Sequence, residues 1–308
     1  MPRATCSTKL WVKSLLLMTM LALPVSGCAR PGLSSDEIPP SVATASTTLI
    51  VVPYDEVDWG ALNPARGEAG PRAADLWGDR TGTDATGFLV RFSEGFSSPP
   101  HIHNTTYRGV VIEGLVHNDD PGADESWMPP GSYWTQPAGE VHITSAKGDG
   151  RIAYIEIEHG PYLVMPPEQA TDNGERAINV HAGNLVWLDA STSRRITLAP
   201  GMAAADGPRV TFLWGDPQSE QPGGSLVELP AGYTTTLKTS SHSMQAVVIQ
   251  GAARLDTSGT DRSRMLTPGS FVGAVSEDGI AVAWRSAETT WLYVRTNGPV
   301  EISTVQSR

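Results

Sequence analysis

The chain repeats itself. Leu76-Trp77-Gly78-Asp79 recurs as Leu213-Trp214-Gly215-Asp216, an offset of 137 residues. At the same offset Gly87-Phe88-Leu89-Val90 meets Gly224-Ser225-Leu226-Val227, and Val110-Val111-Ile112-Glu113-Gly114 meets Val247-Val248-Ile249-Gln250-Gly251. One residue is then gained, so that Pro130-Gly131-Ser132-Tyr133 meets Pro268-Gly269-Ser270-Phe271, and Gly160-Pro161 meets Gly298-Pro299. The matches fall on turn residues and on short apolar or alternating runs between them, the pattern of β-strands joined by tight turns. No helical periodicity persists beyond about two turns. Two homologous β units follow, over 47–170 and 180–305, each long enough for a core of its own.

The first unit carries a framed set of histidines. Gly95, His101, His103, Tyr107 and Gly114 form one run, and Gly131, Pro137, Gly139 and His142 form a second, with 16 residues between Gly114 and Gly131. Residues i and i+2 of a strand share a face, so His101 and His103 project together. His142, on a returning strand, would complete a three-nitrogen set for a divalent ion. These paired runs resemble the two signature motifs of the cupin superfamily. The resemblance implies an all-β tandem cupin, two jelly-roll barrels from an internal duplication, with one metal held in the first. Tyr107 stands where that family usually has a glutamate ligand, and Ala146 where it has an asparagine. At closer range the chain resembles bacterial bicupins known only as a domain of unknown function. Through them it resembles the cupin domain of zinc-binding anti-sigma factors.

The duplication serves as a control on the site. His101 aligns with Lys238, His103 with Ser240, Tyr107 with Met244 and His142 with Ile280. A protonated lysine offers no lone pair, and serine and methionine are poor ligands for zinc or ferrous iron here. The second barrel is therefore expected to be degenerate, and the imidazoles are not needed to build the scaffold. One divalent ion, zinc or ferrous iron, is expected per chain. Three neutral nitrogens leave the centre near +2, suited to a small oxygenated anion as ligand or substrate. Zinc would supply an activated water, and ferrous iron open positions for a chelating anion and dioxygen. Tyr107 and Glu140 are the candidate catalytic residues, as ligand, hydrogen-bond donor or base. Two readings stand: a metalloenzyme of oxygenase or hydrolase type, and a metal- or ligand-binding sensor whose second barrel serves as a partner or homodimer surface.

The N-terminus carries an address. Arg3, Lys9 and Lys13 precede the apolar run Leu15–Leu23, and small residues lead to Val25-Ser26-Gly27-Cys28. This is a secretory signal over 1–27, too short for a mature membrane span. Its end resembles a bacterial lipobox, which implies cleavage before Cys28 and lipidation there. Residues 28–46, rich in Pro, Ser, Ala and Thr, read as a tether. With Cys6 removed and Cys28 acylated, no thiol remains for a metal or a disulfide. Loss of three basic and no acidic residues takes the net charge from −11 to −14. That balance excludes nucleic acid and electrostatic lipid docking, leaving the lipid anchor as the sole membrane attachment. The expected location is a cell-envelope lipoprotein at the outer membrane, facing the periplasm.

Overall fold

The computed structural model describes residues 47–63, 67, 70–256 and 264–306. The signal segment 1–27, Cys28 and the tether lie outside them. Among the described residues the regular structure is almost entirely strand, with only single turns of 3-10 helix between strands.

The sheet built mainly by the first half has seven strands in the order Ile178–Val180, Tyr133–Gln136, Tyr107–Asp119, Ile143–Ile157, Thr86–Arg91, Arg72–Trp77 and Gly60–Ala61. A separate small ladder pairs Ile102–His103 with Val164–Met165. Tyr107–Asp119 and Ile143–Ile157 stay paired throughout their lengths, with register breaks near Glu113 that bend both strands. In the second half the same two strands are each cut in two. Ser243–Gln250 and Thr290–Thr296 join a six-stranded sheet, while Ala253–Leu255 and Ile280–Ser286 join a five-stranded one. Each half thus curls around its own apolar interior, a jelly roll.

The halves are not beads on a string. Thr48–Val52 pairs with Phe271–Val275 of the second half, and Ile178–Val180 pairs with Tyr133–Gln136 of the first. The leading strand of each half therefore crosses to the edge of the other's sheet, so the linear segments 47–170 and 180–305 do not coincide with the sheets. A third core lies between the halves. There Leu89, Val110 and Ile112 pack with Leu226, Val247 and Ile249, their counterparts at an offset of 137. Such self-matching contacts are those of a twofold interface. Two indole–phenol bridges repeat the symmetry: Trp77 Nε1 donates to the Tyr154 hydroxyl (3.0 Å), and Trp214 Nε1 to that of Tyr293 (2.9 Å). Each crosses a glycine, and a Cβ at Gly87 or Gly224 would lie 2.2 or 2.0 Å from the indole nitrogen.

At the centre of this interface the symmetry is broken by charge. The strand registers make Glu156 equivalent to Arg295, and these two buried residues meet at 2.6 Å. Both tyrosyl hydroxyls donate to the same Glu156 oxygen, and Arg295 also grips Glu158.

Candidate metal centre

The concave side of the first sheet brings the three histidines together. His101 and His142 exchange both backbone hydrogen bonds at 3.0 Å, fixing their strands in register. His103, two residues on, falls on the same inner face, as the strand period requires. Their candidate ligand nitrogens lie within 4.8 Å of one another, and all three residues are buried.

Each ring is oriented from behind by a main-chain carbonyl. Nδ1 of His101 lies 2.9 Å from Pro99 O, that of His103 2.8 Å from Leu163 O, and that of His142 3.2 Å from Glu140 O. A carbonyl only accepts, so each Nδ1 carries the proton and Nε2 keeps the lone pair. Burial, followed by the neighbouring imidazoles, depresses His103 well below the ordinary histidine range and His142 to about 3. Both are therefore neutral. Three imidazole nitrogens on rings held by second hydrogen bonds fit a divalent ion such as zinc or ferrous iron. No other cluster of three metal-binding side chains occurs among the described residues.

Tyr107 lies at this centre as expected, and it is fully lodged in the interior. Its hydroxyl donates to Asn118 Oδ1 at 2.8 Å and stands 3.3 Å from His142 Nε2. Burial raises its pKa far above the ordinary phenol value, so it is a neutral phenol. Asn118 is the hub of a buried network, accepting also from Thr144 Oγ1 (2.7 Å) and donating to Gln136 Oε1 (2.9 Å).

Glu140 does not belong where the sequence placed it. Its carboxylate faces Thr171, Asp172 and Arg176 on another side of the strand, outside the cavity that contains the histidines. It sits two residues before His142, but at a turn rather than in a regular strand, so the i, i+2 rule fails there. Its contribution to the centre is its main-chain carbonyl.

Tyr162 is the residue that sequence reasoning missed. Its ring stacks on His103 at 4.3 Å, and its hydroxyl lies 3.1 Å from His103 Nε2. It comes from the irregular stretch after the last strand, where periodicity is mute. The repeat held the signal: Gly160-Pro161 aligns with Gly298-Pro299, which sets Tyr162 against Val300.

In the second barrel no cluster of three metal-binding side chains occurs among the described residues, and the alignment needs one change of register. Thr239, not Lys238, is the partner of Ile280, and Lys238 is exposed on the outer face. The first half runs irregularly from Phe92 to His101 where the second has the regular strand Tyr233–Thr239, and the alignment slips by one there. Leu237, Met244, Ile280 and Trp284 fill the interior.

Residues 50–303 match the family described as a domain of unknown function, DUF4437. The chain belongs to this family. No functionally curated protein matches this DUF4437 sequence. Its fold is shared with a Nostoc punctiforme crystal structure of a proposed dioxygenase, at 15% identity over 85% of this chain and 86% of that one, TM-score 0.59. It is likewise similar to salicylate 1,2-dioxygenase from Pseudoaminobacter salicylatoxidans with gentisate (15% identity, 87% and 88% covered, TM-score 0.51). Oxalate decarboxylase from Lactobacillus farciminis in complex with formate has the same architecture (12%, 86% and 89%, 0.51). The DUF4437 protein shares their two-barrel fold, and its three-histidine cluster suggests a single metal ion.

Proposed function

We propose that this DUF4437 protein is a mononuclear metalloenzyme, of oxygenase or hydrolase type, acting on a small oxygenated anion at His101, His103 and His142. One observation carries the reading: every imidazole is turned by a main-chain carbonyl so that Nε2 faces a common point. A divalent ion held there supplies Lewis acidity and open coordination positions, and ferrous iron adds one-electron chemistry. The chain's own groups supply the rest. Tyr162 places a neutral hydroxyl beside Nε2 of His103, positioned to donate to a bound oxyanion, while the Tyr107 hydroxyl stands beside Nε2 of His142 with its own proton given to Asn118. Asn118 anchors Tyr107 from behind, and Val90, Phe92 and Ile155 give the adjoining cavity an apolar wall. The same fold in other proteins accommodates gentisate and formate, both small oxygenated anions.

The test begins with metal. Residues 29–308 should take up about one zinc or ferrous ion per chain. His101→Ala and His142→Ala should each abolish uptake, and Lys238→Ala should not. Two ions per chain, or full occupancy in the double histidine variant, would overturn the assignment. An oxygen-uptake and hydrolase panel on the loaded protein then separates enzyme from sensor. The sensor reading draws support from the cavity itself, which among the described residues contains no carboxylate or lysine to serve as acid or base. Loaded protein that binds anions without turnover would establish it.

The envelope location is part of the same proposal. It rests on the basic-apolar-small pattern ending at Cys28 and on the acidic mature chain. Cys28→Ala should leave an unprocessed precursor, and intact mass should show a diacyl- or triacyl-cysteine start in the wild type. An unlipidated mature wild-type protein would rule the anchor out.

A further inference from the structure

A buried donor at the histidine cluster has nothing to donate to. Trp134 is 1% exposed and lines the cavity that contains the histidines, yet its indole Nε1 is buried without a hydrogen-bond partner. The indole lies beside the Tyr107 oxygen but lacks hydrogen-bond geometry to it. Native interiors seldom leave such a group unmatched unless a water or ligand completes it. The placement is built in: a Cβ on Gly109 would lie 2.1 Å from the indole ring, so the strand surrenders a side chain to seat it there. The Tyr107 and Tyr162 hydroxyls border the same cavity. Among the described residues no charged side chain lines it, and Val90, Phe92, Phe96, Ile155 and Val164 form much of its wall.

We propose that this pocket recognises an oxygen-donor monoanion with an uncharged apolar body, of the short aliphatic carboxylate class, whose oxygen accepts the Trp134 indole hydrogen. The proposal rests on the metal-centre reading and deepens it by naming the ligand class. Among the described residues, positive charge for the anion comes only from an ion held by the imidazoles. A second carboxylate or an ammonium on the ligand would be buried against apolar walls without a partner. The cavity measures about 60 Å³, which limits the enclosed part of the ligand to a few heavy atoms.

Butyrate, succinate and β-alanine are near-isosteres that differ in the charge at the far end. In the zinc-loaded 29–308 chain with ¹⁵N-labelled tryptophan, Trp134→Phe assigns the indole resonance. Butyrate should move that proton downfield and bind at least tenfold more tightly than succinate or β-alanine. Trp134→Phe should weaken butyrate about tenfold with zinc content unchanged, the value of one hydrogen bond to a charged acceptor. Should Trp134→Phe fail to fold, missing indole resonances are assigned by exclusion, and the shift and the ligand series on the unaltered chain decide. An indole resonance unmoved at saturating butyrate, or equal affinity for all three acids, overturns the proposal while one bound zinc leaves the metal-centre reading intact. A chain that takes up no metal sinks both.

Discussion

The Glu156–Arg295 pair makes the sharpest prediction about how the two halves hold together. Arg295→Met removes three charge-assisted hydrogen bonds, one to Glu156 at 2.6 Å and two to Glu158 at 2.6 and 3.0 Å. Glu156, whose side chain is 1% exposed, is left with the Tyr154 and Tyr293 hydroxyls alone. Stranding one member of a buried pair costs about 3–5 kcal/mol. At roughly 2–4 °C per kcal/mol for a chain of this size, Tm should fall by roughly 6–20 °C. Adding Glu156→Gln removes the stranded charge and keeps a partner for the hydroxyls, so the double variant should regain at least about 2 kcal/mol.

The same variant should have an unusual pH dependence. Burial already raises Glu156 above the ordinary carboxylate value, against the pull of Arg295, and without the arginine it rises further. A folded pKa above the unfolded one means that folding takes up a proton. The resulting stability is complete below the unfolded value of about 4.3 and is lost as pH climbs through the folded value. The deficit of Arg295→Met should therefore shrink on acidification, by up to about 1.4 kcal/mol per pH unit between those two values. Urea melts of wild type, single and double variants at pH 5 and pH 8 measure both effects. Equal destabilisation of single and double variants, or a deficit independent of pH, would refute the reasoning.

Three further outcomes follow from the centre. Gly109→Ala drives a methyl to within 2.1 Å of the Trp134 indole and should cost about 1–3 kcal/mol or more, read by thermal melting; an unchanged Tm would show that the indole yields. Tyr162→Phe keeps the stack on His103 but removes the hydroxyl that competes for Nε2. Zinc affinity in competition dialysis should hold or rise by up to about tenfold, whereas a large loss would make Tyr162 a ligand. Asn118→Leu alone strands Tyr107, Thr144 and Gln136 and should cost about 2–4 kcal/mol. The triple change Asn118→Leu, Gln136→Ala and Thr144→Val should recover much of that, since only a half-satisfied network is penalised, and additive losses would count against it.

Much of this was legible in the sequence because both the strand period and the duplication leave marks that need no partner to be read. The i, i+2 spacing of His101 and His103 and the returning His142 anticipated the three-imidazole cluster that the structure contains. Spacing failed at Glu140, because a turn does not keep the two-residue period. It was silent on Tyr162, which reaches the centre from an irregular segment. The strand exchange at Thr48–Val52 and Ile178–Val180 was also invisible, since an edge strand reads the same whichever sheet it joins.

Comparing the halves by subtraction recovers most of what the spacing lost. At offsets of 137 or 138, Tyr107, Asn118, Trp134, Gln136, Thr144 and Tyr162 face Met244, Leu255, Val272, Ala274, Val282 and Val300. Five of those second-half residues are buried in one apolar core, and Val300 packs against it. A polar interior is costly unless every member is satisfied, and the second barrel shows that the same strands close without one. The polar residues of the first barrel are therefore not there for the fold. They mark the outline of the site, extending it from three imidazoles to two phenols, an indole and the amide network that holds them.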